Sequence, residues 1–331
     1  MNIYEIAKIA GVSTATISRV LNNAPGVSPA TRKKVQDVMD TFDYQPNAFA
    51  RGLGFNSMST IGLMCADVAD HYLARAVSYL EKGLREKNYD SFLCCTGRDW
   101  EGRKQCTAQV LSRHVDGLIL IGSHFIDKTD ARNAYIIDAA KQVPVVLIGG
   151  ALDAPNVYSV LCDDEDGMEQ MTNHVLDKGR RAPIYVYSHA SFSGLAKIEG
   201  FKKACEKHGI AVDESRLLHT KSGMDPIFAA KQALEETDVP FDCVVTSEDA
   251  LAAGALKYAA AHELNVPGDL SVTGYNDAEI ARVCTPELTT LDNKLQILCE
   301  KSIEVLMSTF KGSEVPKRTV FDGNIIVRSS T

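Results

Sequence analysis

Several things are scarce in this 331-residue chain, and each scarcity excludes something. No stretch approaches the ~20 consecutive apolar residues that a membrane helix needs. The opening Met1-Asn2-Ile3-Tyr4-Glu5 lacks the basic and apolar regions of a secretion signal, so a cytoplasmic protein without a membrane partner is expected. Neither G-x-G-x-x-G nor G-x-x-x-x-G-K-[ST] occurs, nor a G-x-S-x-G nucleophile elbow, which argues against an enzyme. There are nine cysteines but no C-x-x-C pair. Cys65, Cys94, Cys95, Cys162, Cys243 and Cys299 lie in or beside apolar runs, so buried free thiols are expected rather than disulfides or zinc ligands. Asp163-Asp164-Glu165-Asp166 is followed by no calcium-type loop, and is expected to open a helix, where acids complement the positive helix end. The one tryptophan, Trp100, sits in a polar stretch and is expected at the surface. Neither a metal nor a cofactor is expected.

What is present describes a globular chain of two or three compact units, with 45% hydrophobic and 24% charged residues. The net charge of −8 hides an asymmetry: residues 1–60 hold six Lys/Arg against four Asp/Glu, so the remainder carries −10. An acidic body repels phosphate and leaves a basic head to meet nucleic acid.

The chain changes character along its length. Residues 1–45 read as helices, with Ile3, Ile6, Ala7 and Ala10 on one face and Ile17, Val20 and Leu21 on the next. Ser28-Pro29 opens a third helix, which should turn Val35, Val38, Met39 and Phe42 inward. Residues 46–59 form a linker. From residue 60 to 331, short apolar runs alternate with helical stretches. The runs are Ile61–Cys65, Ser91–Cys95, Gly117–Ile121, Pro144–Ile148, Ile184–Tyr187, Cys243–Thr246 and Leu270–Gly274. The expected fold is an all-α helix-turn-helix headpiece followed by an α/β domain of two doubly wound parallel-sheet lobes. Such sheets bind ligands at the carboxyl ends of their strands, which here means a cleft between the lobes.

In the head, Ala7 is small enough for a second helix to cross closely, Gly11 takes the turn, and Ile17 locks the pair. Ser13 caps the second helix, presenting Thr14, Ala15, Thr16, Ser18 and Arg19 to a major groove. A helical hairpin without a DNA role has the same local pattern.

The run Glu5-Ile6-Ala7-Lys8-Ile9-Ala10-Gly11-Val12-Ser13-Thr14-Ala15-Thr16-Ile17-Ser18-Arg19-Val20-Leu21-Asn22 resembles the headpiece of the LacI/GalR family of bacterial repressors. Val27-Ser28-Pro29-Ala30-Thr31-Arg32 and the stretch from Tyr44 to Leu53 are similar to its third helix and hinge. Further blocks, among them Val115-Asp116-Gly117-Leu118-Ile119 and Ser271-Val272-Thr273-Gly274-Tyr275-Asn276-Asp277, extend the resemblance over nearly the whole chain. It implies a periplasmic-binding-protein-like (type I) regulatory domain whose chain crosses between lobes three times. Lobe one would be about 60–161 and 291–320, and lobe two about 162–290 and 321–331. It also implies a homodimer on a near-palindromic double-stranded DNA operator, and a repressor. The DNA contacts implied are Ser13, Thr14, Ala15, Thr16, Ser18, Arg19 and Asn22, then Ser28 and Thr31, then Tyr44, Asn47, Ala50, Arg51 and Leu53. Gly52 and Gly54 depart from the usual hinge and should weaken a hinge helix by ~1 kcal/mol each.

For the effector, the resemblance implies Asp70, His71, Tyr72 and Ser123 in lobe one and Ser193, Lys197, Glu248 and Asn276 in lobe two. An arginine is usual where Lys197 stands, and an ion pair of Lys197 with Glu248 in the empty cleft is one expectation. Carboxylates and an ammonium can each bond several hydroxyls, and one aromatic face suits a sugar ring, so the effector is expected to be a sugar or sugar derivative. A strongly anionic ligand would meet Asp70 and Glu248 with only Lys197 opposing them. Alternatives are a purine or other metabolite as corepressor on the same fold, or a solute-binding or enzymatic α/β protein. The sequence leaves induction and corepression undistinguished.

Overall fold

The computed structural model describes residues 3–21, 25–43 and 57–331, in two compact units, Met1–Thr60 and Ile61–Thr331. In the first unit, α1 (Ile3–Ala10), α2 (Thr14–Leu21) and α3 (Pro29–Thr41) close on a core of Ile6, Ala7, Ala10, Ile17, Val20, Val35 and Met39. Gly11 makes the turn at φ +62°, a conformation that costs a side chain with a Cβ dearly and glycine little. The Ser28 hydroxyl accepts the Thr31 N–H at 3.2 Å and Pro29 takes the first turn of α3, as a Ser-Pro helix start dictates. Phe42, expected inside, is exposed: α3 ends at Thr41, so the next residue leaves the buried face.

The second unit holds two parallel sheets. Strands β1 (Thr60–Cys65), β2 (Asp90–Cys95), β3 (Gly117–Ile121), β4 (Val145–Ile148), β5 (Val157–Cys162) and β11 (Arg318–Phe321) form one, in the order β11-β5-β4-β3-β1-β2. Strands β6 (Pro183–Tyr187), β7 (Leu217–His219), β8 (Cys243–Thr246) and β9 (Ser271–Thr273) form the other, in the order β7-β6-β8-β9. Gly-Leu-Ile-Leu-Ile in β3 and Val-Val-Leu-Ile in β4 are buried at every residue, because helices cover both faces of a parallel sheet. Around the first sheet lie α4 (His71–Glu86), α5 (Trp100–Leu111), α6 (Asp130–Ala140) and α12 (Leu295–Phe310). Around the second lie α7 (Asp164–Asp177), α8 (Phe192–Lys207), α9 (Pro226–Glu235), α10 (Asp249–Ala261) and the short α11 (Ile280–Val283). A two-stranded antiparallel ribbon, β10 (Thr290–Asp292) with β12 (Asn324–Ile326), completes the connections. The chain passes between the lobes after β5, after β10 and after β11.

Of the cysteines expected to be buried, Cys95 is exposed and Cys94 half-buried. Strand β2 ends the sheet order and alternates in burial, so its residues lack the two-sided cover of β3 and β4. Strands β5, β7 and β10 to β12 lie beyond the apolar runs picked out in the sequence. They are short or, as in Val-Tyr-Ser-Val-Leu-Cys, interrupted by polar residues.

Helices α7 and α8 cross closely because Gly200 has no side chain. A Cβ there would collide with the Glu165 carbonyl oxygen and lie 2.9 Å from the Glu169 nitrogen, both backbone atoms with no rotamer to change. Alanine's helix preference is worth only about 1 kcal/mol, whereas overpacking costs about 1–3 kcal/mol. Gly200→Ala is therefore expected to lower the urea midpoint of the full-length protein with its slope unchanged; an unchanged or raised midpoint would mean the crossing relaxes freely.

Asp249, at the start of α10, is buried and its carboxylate accepts from Thr290 Oγ1 at 2.5 Å and from the Ala278 N–H at 2.7 Å. Burial outweighs these two bonds and, with help from nearby Asp277, pushes its pKa from 3.8 up to about 7. The folded state thus keeps a proton that the unfolded chain releases, so this contribution to stability is present below about pH 4 and is lost as pH rises through about 7. His124 and His189 act oppositely. Burial and Arg98 hold their pKa values down at about 3 and about 4, so they weaken the fold as pH falls below their ordinary 6.5. Comparing Asp249→Asn with the wild type isolates the aspartate. Between about pH 5 and about pH 8 the wild-type melting temperature should fall relative to the variant's, and parallel curves would refute the assignment.

Candidate nucleic-acid interface and effector cleft

The head presents the expected face. Ser13 caps α2, accepting the Thr16 N–H at 3.2 Å, and its hydroxyl also lies 3.0 Å from the Thr16 hydroxyl. This fixes the first turn, leaving Thr14, Thr16 and Ser18 half-exposed and Ala15 and Arg19 exposed. On the neighbouring helix, Ser28 and Thr31 bond each other through their hydroxyls at 2.9 Å, with Ser28 exposed and Thr31 half-exposed. Arg32 Nη1 donates to the Val20 carbonyl at 3.3 Å, tying α3 to the end of α2. Asn22, Tyr44, Asn47, Ala50, Arg51 and Leu53, with Gly52 and Gly54, lie outside the described residues.

In the regulatory unit the strands of both lobes deliver polar side chains into one cleft, each from just past a carboxyl end. Asp70 follows β1, Ser123 follows β3, and Asp164 follows β5. Ser188, His189 and Ser191 follow β6, Ser247 and Glu248 follow β8, and Asn276 follows β9. The lobes touch across this cleft where Ser123 Oγ and Ser191 Oγ are 2.8 Å apart and where Arg75 Nη1 donates to the Asp277 carbonyl at 3.3 Å.

The candidate ligand residues divide. Asp70, Tyr72, Ser123, Ser193, Lys197, Glu248 and Asn276 all line the cleft. His71 does not: it is the first residue of α4, exposed on the surface. Asp70 Oδ1 caps that helix, accepting the N–H groups of Tyr72 at 3.0 Å and Leu73 at 3.2 Å, and its other oxygen lies 3.6 Å from Arg98.

The anticipated Lys197–Glu248 ion pair is not made. Lys197, buried in the floor, donates to the Ser247 carbonyl at 3.0 Å, and its Nζ sits 3.6 Å from the centre of the Tyr275 ring. That ring's hydroxyl donates to Asp164 Oδ1 at 2.8 Å, so the ammonium's counter-charge is supplied through Tyr275 by Asp164. Glu248 instead accepts from Ser188 Oγ at 2.7 Å, and burial, helped by Asp70 across the cleft, raises its pKa. Asn276, at φ +98°, accepts from Asn293 Nδ2 at 3.0 Å, and the same amide donates to the Tyr72 hydroxyl at 2.9 Å. The buried Asn293 Oδ1 has no partner among the described residues.

The sequence alone does not single out Arg98, His124, Asp164, Ser188, His189, Ser191 or Asn293. Their signal is positional: most stand within five residues of a strand's carboxyl end. Asp164 is hidden because Val-Tyr-Ser-Val-Leu-Cys, with a polar residue inside it, does not read as an apolar strand, and the acidic run after it shows only a helix start.

Comparison with known proteins gives a consistent result. Residues 2–47 match the family "Bacterial regulatory proteins, lacI family", and residues 172–331 match the "Periplasmic binding protein-like domain". An HTH-type transcriptional regulator of Lachnoclostridium phytofermentans is 41% identical over 100% of this chain and 99% of its own length. Among solved structures, a complex of the transcriptional regulator CelR with cellobiose is 25% identical, with a TM-score of 0.72 and full coverage of both chains. The lac repressor dimer bound to operator and the anti-inducer ONPF is 24% identical, with a TM-score of 0.85, covering 100% of this chain and 98% of that one.

Proposed function

The chain belongs to the lacI family of bacterial regulatory proteins and is a DNA-binding transcriptional regulator, and on that premise we propose that a sugar or sugar derivative held between its lobes sets its affinity for operator DNA. The observation that carries the effector class is the polarity of the cleft. Lys197, Glu248, Asn276 and Asn293 converge there with the hydroxyls of Ser123, Ser188, Ser191 and Ser193, while Tyr72 supplies a phenol ring beside the smaller imidazoles of His124 and His189. Hydroxyl groups both donate and accept, so a polyol can satisfy a set that mixes a cation, a carboxylate and amides. A hydroxyl donor would also supply the partner that Asn293 Oδ1 lacks. A purine corepressor would want two broad flat walls, and among the described lining residues Tyr72 is the one large ring.

The regulator is proposed to act in the cytoplasm as a homodimer on a near-palindromic site, like the operator-bound lac repressor dimer it resembles in fold. Effector would change the closure of the lobes, and the change would be passed to the headpieces through the segment joining the two units. Linkage requires operator DNA to change effector affinity by the same factor. A thermal-shift screen of the full-length protein against sugars and nucleobases tests this reading, since a ligand bound only by the folded state raises the melting temperature. Stabilisation by nucleobases and not by sugars would replace the sugar with the purine.

A further inference from the structure

Beside the cleft lies a second chamber with which it shares Arg98, His124, His189 and Ser191 as a common wall. The cleft itself holds about 120 Å³ and the neighbouring chamber about 500 Å³, so a ligand longer than one ring finds further room past the shared wall. The chamber is unlike the cleft in charge. Arg98, Arg103, Lys128 and Arg132 line it against a single carboxylate, Asp127.

That carboxylate is already committed. Arg103, which is buried, holds Asp127 at 2.7 Å and donates to the His124 carbonyl as well. Arg132 reaches the same carboxylate only at 3.8 Å, with most of its side chain exposed. Among the described residues Lys128 makes no ion pair, and the one ion pair of Arg98 is with Asp70 at 3.6 Å. The cation count therefore exceeds the anion count at the chamber wall. Two further observations mark the same place. The imidazole Nε2 of His124 is buried without a partner among the described residues, and α8, sixteen residues long, begins here with its positive end toward the chamber through Phe192 and Leu195. Burial first and then the Arg98 charge depress the pKa values of His124 and His189, so neither imidazole adds a positive charge at neutral pH, and the cations of the wall are the arginines and the lysine.

We propose that the effector is an acidic sugar, with its hydroxylated ring in the cleft and a carboxylate or phosphate group seated in the second chamber against Arg98, Lys128 and Arg132. This rests on the sugar reading of the cleft and adds to it a charge and a direction. It also reverses the balance expected from the sequence, where Lys197 is the one cation in view; Arg98 follows β2, Lys128 precedes α6 and Arg132 lies in its first turn, and only the fold brings them to one wall.

The test is calorimetric titration of the full-length protein with glucuronate, galacturonate, glucose 6-phosphate and galactose 6-phosphate beside neutral glucose, galactose and cellobiose. The double variant K128Q/R132Q is titrated in parallel, both substitutions being at exposed positions outside the cores. At least one acidic sugar should bind about ten times more tightly than its neutral parent, a difference of about 1.4 kcal/mol. The double variant should lose about that factor for the acid and none for the neutral sugar, with its melting temperature unchanged. Neutral sugars binding as tightly as their acids, or an acid whose affinity the double variant retains, overturns the second chamber and leaves the sugar reading standing. Binding of none of these sugars overturns both.

Discussion

Replacing Arg19 by alanine is expected to weaken binding to the specific operator by ~1–3 kcal/mol, about 5-fold to 150-fold, with a smaller loss on random DNA. Arg19 stands in the last turn of α2, exposed, and makes no ion pair among the described residues, so its guanidinium is free to meet a base edge. An arginine fork matches O6 and N7 of guanine together, a pattern that no other base pair presents in the major groove. The neighbours are small: Ala15 offers only a methyl group, and the Thr16 hydroxyl is already engaged by Ser13. Few side chains then share the reading, and the loss of one should be large. Because Arg19 contributes nothing to the buried core of the head, the variant should keep its fold, which circular dichroism can verify. Electrophoretic mobility or anisotropy titrations on operator and on scrambled duplex decide the matter. Equal losses on the two duplexes would reassign Arg19 to a phosphate.

A second large effect is expected in the cleft. Lys197→Met should weaken effector binding about 10-fold to 150-fold, the range that follows from ~1.5–3 kcal/mol for a hydrogen bond to a charged group. The ammonium donates one bond to the Ser247 carbonyl and lies over Tyr275, which leaves a donor for the ligand in a floor where no water competes freely. Methionine keeps the length and apolar stem but removes the charge, so the lobe should stay packed. Operator affinity without effector should stay close to wild type, since the headpiece is untouched, while the effector concentration needed to shift it should rise by the same 10-fold to 150-fold. Unchanged effector affinity in Lys197→Met would show that this lysine is only part of the floor, a prop for Tyr275 and Asp164.

The local elements were decided by the sequence because their causes are local. The Ser28-Pro29 start of α3, the Gly11 turn and the cap from Ser13 each rest on the chemistry of one or two residues, and the structure has them in place. The all-apolar runs of β3 and β4 declare a sheet covered on both faces, and from the repetition of strand and helix two lobes and a cleft between them follow. What the tertiary structure alone decided is which polar groups meet and which are already spent. Lys197 and Glu248 look like partners in the sequence, yet the packing of α8 over Tyr275 gives the lysine a ring and a carbonyl, and gives the glutamate Ser188. Asp70 looks like a ligand group and is occupied by capping α4, while the adjacent His71 turns to solvent because a helix start points successive residues in different directions. Arg98 stands well before Lys128 and Arg132 in the chain, and it shares a wall with them because the segments that follow β2 and β3 converge there. Such a juxtaposition has no periodicity and no spacing, since it depends on the strand order that sets β2 and β3 on either side of β1 rather than on any local propensity.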